Sequence, residues 1–346
     1  MSIFDNMRKA AGNKYANKVS DGNIADVDSY VDTGSYSLNA LCSGSIFGGI
    51  PSNKTTVLAG ESATGKTFYA MNIVREFLKA NKGGHVFYFD SESAVTTEMV
   101  TSRGINPLDM TIVPVLTIQE FRTQAVRMLD LYTADAEANP EKKKPLLMVL
   151  DSLGALSTTK EITDISEGSE AKDMTKAGLV RGMFRVLDLK LGVAKVAMVV
   201  TNHTYAQVGA YVPTRVQSGG EGTAYGADNV IFLKKSKDKD KETKEVRGVV
   251  ITCTNNKSRL TIENKAVETY LDYHLGLDKY YGLIDIALKH DVFVKDGNKL
   301  SLPGGVKVFE SKLVEEPVKY FTQEVLLAID AAARKEFTYG AMEKTG

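Results

Sequence analysis

Residues 60–67 read Gly60-Glu61-Ser62-Ala63-Thr64-Gly65-Lys66-Thr67. This is a complete G-x-x-x-x-G-K-[ST] turn. The short apolar run TTVLAG precedes it, and KTFYAMNIVREFLKA, with helical spacing, follows. A buried strand that feeds a helix through such a turn constrains the chain to an α/β sheet with helices packed on it. The backbone N–H groups of the turn and the helix amino end form a cradle for phosphates. Lys66 is expected to reach the β- and γ-phosphates of ATP, and Thr67 to place its hydroxyl on Mg2+.

Further apolar runs recur along the chain: HVFYFD at 85–90, LLMVLD at 146–151, VAMVV at 196–200, NVIFL at 229–233 and GVVITCT at 248–254. Helical patterns separate several of them, at 118–132 and around Ala177–Leu187. The expected fold is a P-loop ATPase core, with a mostly parallel central sheet flanked by helices, over residues 31–270. Residues 1–30 are polar and are read as an arm for subunit contact, with a short helix near Ile3–Met7. Residues 271–346 are read as a small α+β C-terminal domain. It has helical patches at Tyr281–Lys289 and Gln323–Lys335 and a hairpin-like VFVKDGNKLSLPG. Residues 157–173 lack a core pattern and read as an exposed loop; 204–228 read as a second, glycine-rich one.

Two strands end in acids that face chemistry. Asp151 closes LLMVLD, where a carboxylate can hold Mg2+ through its water shell. Glu92 lies two residues past HVFYFD, at the carboxyl end of a neighbouring strand, and is the candidate for directing an attacking water. Asp90 competes for that role or serves the backbone. His203 follows VAMVV and is placed to contact the γ-phosphate. Two cysteines and four histidines without clustering give no disulfide framework and no expectation of zinc. No apolar run approaches a membrane span and the first residues lack a signal-peptide core, so a cytoplasmic protein with no membrane partner is expected. Forty-three basic residues balance forty-three acidic ones. That balance does not decide nucleic-acid binding, which depends on local patches.

Together these strings resemble the RecA-type recombinases, and most closely the UvsX recombinases of T-even-like bacteriophages. VDTGSYSLNALCSGSIFGGIP resembles the segment that leads into their nucleotide site. GESATGKT stands at Walker A and LLMVLDSLGAL at Walker B. YFDSES resembles the strand end that carries the catalytic glutamate, here Glu92. TNHTY resembles the γ-phosphate sensor, here His203, and SGGEGTAYGAD the end of the second DNA-binding loop. The resemblance covers roughly residues 30–265. It implies a DNA-dependent ATPase that forms a homo-oligomeric helical filament on single-stranded DNA and pairs it with homologous double-stranded DNA. A loading mediator and a single-stranded DNA-binding protein are implied partners, in the host cytoplasm if the chain is phage-encoded.

The resemblance also assigns residues 157–173 and 204–226 to the two DNA loops. Lys160, Lys172, Lys176 and Arg215 become candidates for phosphate contact, with Arg181 and Arg185 on the following helix. Tyr205, Tyr211 and Val212 become candidates for stacking on bases or wedging between them. Lys257 and Arg259 match a basic i,i+2 pair that reaches the neighbouring subunit's ATP. Met99 stands where the family often stacks an aromatic residue on adenine, so adenine would meet a thioether there. Two other readings remain open: a ring helicase of the same superfamily, and a recombination mediator or regulatory ATPase without strand exchange.

Overall fold

A computed structural model describes residues 2–168, 173–206, 215–218, 221–238, 248–273 and 275–340. A short ribbon pairs β1 (Tyr30–Val31) with β2 (Ile50–Pro51). The main sheet comprises β3 (Thr55–Gly60), β4 (His85–Asp90), β5 (Met110–Pro114), β6 (Leu146–Asp151), β7 (Ala197–Ala206), β8 (Arg215–Gln217), β9 (Asn229–Asp238), β10 (Gly248–Ser258), β11 (Ala266–Asp272) and β12 (Gly276–Leu277). Its order is β12-β11-β10-β9-β3-β7-β6-β4-β5, with β8 added to the end of β7. The strands from β9 to β5 in that order run parallel. Strands β10, β11 and β12 extend the sheet antiparallel. The sheet is therefore mixed, with its parallel part around the phosphate turn.

Period-two alternation divides each central strand between two cores. Leu58, Tyr88, Leu147 and Val149 face one, with Tyr69, Ile73, Val74 and Phe77 of the Lys66–Ala80 helix. Val57, Phe89, Met148 and Leu150 face the other, with Phe121 and Leu129 of the Ile118–Ala138 helix and Phe184 and Leu187 of the Lys176–Ala194 helix. Burial on both faces explains why these strands read as continuous apolar runs.

The structure departs from expectation in several elements. Residues 157–173 are not a continuous loop, because Thr159–Ser166 is helical. Thr158 accepts from the Glu161 N–H while the Glu161 carboxylate accepts from the Thr158 N–H, so the helix start is capped both ways. Strand β9 continues to Asp238, into the charged run that begins at Lys234, through its ladder with β10. Met110–Pro114 and Ala266–Asp272 are strands that no apolar run announced.

After the sheet, β13 (Val294–Asp296) and β14 (Lys299–Ser301) form a hairpin, and β15 (Lys307–Val308) joins it. The Leu283–Lys289 and Gln323–Phe337 helices pack on the Tyr36–Ser43 helix. Leu38, Leu41, Ile286, Ile329 and Phe337 belong to one hydrophobic cluster, so this small α+β unit shares a core with the sheet. The Asp330 carboxylate also accepts from Ser45 Oγ (2.5 Å) and the Ile46 N–H (2.9 Å).

Candidate active site

The phosphate turn leaves the carboxyl end of β3. A Cβ on Gly60 would lie 2.6 Å from Thr64 Oγ1 and 2.9 Å from the Leu233 carbonyl, so only glycine fits. Gly65 has φ +89°, and Ala63 also adopts a left-handed conformation at φ +57°. Thr64 Oγ1 donates to the Glu61 carbonyl (2.9 Å) and Lys235 Nζ donates to the Ala63 carbonyl (2.6 Å), which hold the turn from inside and outside. Glu61, Ser62 and Ala63 are exposed along its outer edge, and Thr67 is half-buried in the first helical turn.

Lys66 is buried and donates to the Gly60 carbonyl (3.0 Å) and the Glu61 carbonyl (2.8 Å). Burial pushes its pKa down, against the opposing pull of Asp151 and Glu92. Its ammonium thus occupies the mouth of the turn, bonded to carbonyls that a phosphate could replace.

Two more sequence-predicted groups, His203 and Glu92, converge here. His203 Nδ1 lies 3.5 Å from Lys66 Nζ, and its Nε2 lies 3.2 Å from Glu92 Oε1. A neutral imidazole protonated on Nε2 satisfies both contacts: it donates to the carboxylate and accepts from the ammonium. Ser152 Oγ also donates to Glu92 Oε1 (2.5 Å). Partial burial pushes the Glu92 carboxyl up, but the hydrogen bonds from Ser152 and His203 outweigh it and hold the pKa below the usual value. Glu92 is therefore an anion at neutral pH, 41% exposed and aimed at the turn.

Asp151 ends β6 and is buried. Tyr88 donates to its Oδ2 (2.7 Å) and Thr201 donates to its Oδ1. Both oxygens are thus oriented by neighbouring strands, as suits a carboxylate that holds a hydrated cation through water. Asp90 accepts from the N–H groups of Glu92 (3.0 Å), Ala94 (3.4 Å) and Val95 (3.1 Å), which gives it a structural role in shaping the loop that carries Glu92.

From the cluster, main-chain bonds lead on to the second loop. Ser218 N–H donates to the His203 carbonyl (2.8 Å), and Asn202 Nδ2 donates to the Ser218 carbonyl (2.9 Å). Strand β8 pairs Gln217 with Thr204 next to these bonds.

Met99 is half-buried on the Thr97–Thr101 helix, and its carbonyl accepts from Arg103 Nη1 (2.9 Å). Arg103 lies over the Phe68 ring, 5.0 Å from its centre, and sequence reasoning missed this pair.

The remaining candidates lie away from this cluster. Lys160 is ion-paired with Asp164 within its own helix. Lys176 begins the Lys176–Ala194 helix, and Arg181 and Arg185 are exposed on it. Tyr205 is exposed near the end of β7, and Arg215 begins β8. Lys172, Tyr211 and Val212 lie outside the described residues.

Lys257 and Arg259 stand at the opposite end of the sheet from the phosphate turn. Lys257 pairs with Val230, which is level with Val57, while Gly60 is level with Leu233. Lys257 Nζ donates to the Ala227 carbonyl (2.7 Å), and Arg259 Nη1 bridges Asp228 Oδ1 (3.3 Å). Asp228 is bonded through its N–H to the Thr55 carbonyl, at the start of β3. From Thr55 to Gly60 is about 17 Å of strand at roughly 3.3 Å per residue. The pair therefore cannot serve the phosphate turn of its own chain. Arg259 also follows β10 rather than lying on it, and a register shift precedes Lys257. The two cations sit at adjacent residues, Lys257 on the Ala227 carbonyl and Arg259 on the Asp228 carboxylate.

No helix among the described residues is long and apolar enough to cross a membrane.

The family model for the RecA N-terminal domain matches residues 2–278. A "Recombination and repair protein" of Enterobacteria phage T4 is 28% identical over 261 residues, which is 75% of this chain and 64% of that protein. The mitochondrial "DNA repair protein recA homolog 3" of Arabidopsis thaliana is 23% identical over 88% of this chain and 69% of its own length. The "Protein RecA" of Malacoplasma penetrans is 24% identical over 83% of this chain and 87% of its own.

Proposed function

The chain belongs to the RecA family, and from that premise we propose that it is a DNA-dependent ATPase and homologous recombinase akin to the phage UvsX proteins. The observation that carries this reading is the contact chain Lys66–His203–Glu92–Ser152 at the mouth of the phosphate turn, continued from the His203 carbonyl to Ser218. It joins the nucleotide site to the loop proposed to hold DNA.

Residues 60–67 bind the triphosphate through backbone N–H groups, and Lys66 turns from the Gly60 and Glu61 carbonyls to the β- and γ-phosphates. Met99 packs against adenine. Thr67, by its hydroxyl, and Asp151, by way of bound water, would hold Mg2+, which would supply charge neutralisation on the phosphates. Glu92, ionised and steadied by Ser152, orients the attacking water and accepts its proton. His203 leaves Glu92 or Lys66 when the γ-phosphate position is filled and passes that change along β7 to Ser218. Lys257 and Arg259 complete the site of a neighbouring copy, where they neutralise charge on the γ-phosphate. This trans role is supported by the length of sheet between the pair and the turn.

In this reading the Ile3–Ala10 helix and the rest of residues 1–30 form the arm that contacts a neighbour. Residues 31–270 form the ATPase and DNA-binding core and 271–346 the C-terminal domain. Single-stranded DNA lies along the segments 157–173 and 204–226, with Lys160, Lys172, Lys176, Arg181, Arg185 and Arg215 on phosphates and Tyr205, Tyr211 and Val212 among bases. Each phosphate contact releases about one counterion, so binding weakens steeply with salt.

Hydrolysis measured with and without single-stranded DNA tests the reading. DNA should stimulate the wild-type rate. Glu92→Gln should keep ATP binding but lower turnover on the order of 100-fold, and Lys66→Ala should lose both. Undiminished hydrolysis in either variant would contradict the proposed site.

A further inference from the structure

Arg259 is held by a carboxylate that is itself fixed. Asp228 has a side chain 2% exposed, and both its backbone and its carboxylate are tied to the first residue of β3. Its N–H donates to the Thr55 carbonyl (3.0 Å) and its Oδ2 accepts from the Thr55 N–H (3.1 Å). Its Oδ1 remains for Arg259 Nη1, at 3.3 Å. The Arg259 N–H donates to the Asp228 carbonyl (3.2 Å), so residue 259 is joined to residue 228 through backbone and side chain alike. The Arg259 side chain is 55% exposed. A guanidinium carries five donors in a rigid fork. The bridge to Asp228 engages Nη1 and draws that end of the fork to Asp228, while more than half of the side chain faces outward.

The surroundings fit a surface that receives an anion. Arg181, Arg185, Asp188, Gly226 and Arg259 line one cavity of about 310 Å³. Asp188 and Asp228 are near enough for each to feel the other's charge, and Asp188 also senses Arg259 and Lys257. Without its acid partners, Arg259 would stand among like charges that drive its long side chain away.

We propose that Asp228 is a positioning residue for Arg259, and that it presents the guanidinium to the γ-phosphate of the ATP bound by a neighbouring copy. The inference rests on the trans role proposed above for Lys257 and Arg259. Asp228 touches no substrate; it acts through Arg259 by holding the side chain in place before the neighbour arrives.

The test uses full-length protein in single-stranded DNA-stimulated hydrolysis. Asp228→Asn keeps an acceptor for the Thr55 N–H and removes the charge that faces Arg259. Asp228→Ser is a smaller second variant in case the first fails to fold. We expect kcat to fall about tenfold to a hundredfold with little change in KM for ATP, and Arg259→Ala to fall further. Adding Asp228→Asn to Arg259→Ala should cost nothing more.

Each variant is then co-assembled with Glu92→Gln protein, which has a dead site but an intact cation pair. Recovery of hydrolysis with both Arg259→Ala and Asp228→Asn is the expected result. No recovery with Arg259→Ala would overturn the trans reading itself. Recovery with Arg259→Ala but not with Asp228→Asn would leave that reading standing and overturn the role of Asp228. Additive losses in the double variant, or failure of both Asp228 variants to melt cooperatively, would make Asp228 a folding residue and overturn it as well.

Discussion

At the scale of single residues, the site depends on how buried charge is matched. Asp151 has one oxygen taken by Tyr88 and the other by Thr201. Tyr88→Phe leaves a buried carboxylate oxygen without its donor and should cost about 1–2 kcal/mol of stability. Chemical denaturation checks this, and the variant should also need more Mg2+ for hydrolysis. Asp188 gives a second prediction. Burial first, and then the Asp228 charge, push its pKa up to about 7, opposed by Arg259, the Thr55 hydroxyl and Lys257. The unfolded chain releases that proton near pH 4, so the folded state binds more protons between about pH 4 and 7. Stability from this group therefore falls as pH rises through that window and stays low above it. Asp188→Asn should flatten this slope and raise stability at pH 8 by about 1–2 kcal/mol, allowing for partial solvent screening. Thermal melts from pH 5 to 8 decide it.

The residues legible from sequence were those tied to strand ends. Gly60, Lys66, Glu92, Asp151 and His203 each follow an apolar run within a few positions, and parallel strands bring such ends together. Ser152, Thr201, Tyr88 and Asp228 were not legible as site residues. Their partners lie across strands or far away in sequence, and a serine or tyrosine in a strand carries no signal of what it will bond.

At the scale of elements, the same logic separates what could be read from what could not. The strands over 55–60 and 146–151 are buried on both faces, that over 85–90 is half-buried at His85 and Phe87, and all three stand out as apolar runs. Strand β11 alternates Val267, Thr269 and Leu271 inward with more exposed residues between them, and its buried threonine bonds to the Ile251 carbonyl (3.2 Å). A search for continuous apolar runs passes over such a strand. The Thr159–Ser166 helix reads in the sequence as part of an exposed loop, since none of its residues is buried and a capping box is what marks it. Thr158→Ala should weaken that helix by about 1 kcal/mol. Hydrogen exchange over residues 160–166 should then quicken while the central strands stay protected. If the segment meets DNA as proposed, bound single-stranded DNA should slow the exchange again.

At the scale of the whole molecule, the small C-terminal unit and the sheet share one hydrophobic cluster. Phe337 is 1% exposed in that cluster, and its carbonyl accepts from the Ile262 N–H (2.7 Å). Phe337→Ala should cost about 3–5 kcal/mol. The melt should shift as one transition; two separated transitions would mean that the unit folds independently. The zero formal charge of the chain conceals an uneven surface, with Arg181, Arg185 and Arg259 around one cavity. The recombinase activity proposed above combines a phosphate turn at one end of the sheet with a cation pair at the other, and with DNA along segments 157–173 and 204–226. Strand exchange tests it most directly, with circular single-stranded DNA, a homologous linear duplex, ATP and Mg2+. The account predicts joint molecules with wild-type protein, none with a heterologous duplex and none with Lys66→Ala. DNA-stimulated hydrolysis without any homology-dependent joint molecules would contradict it.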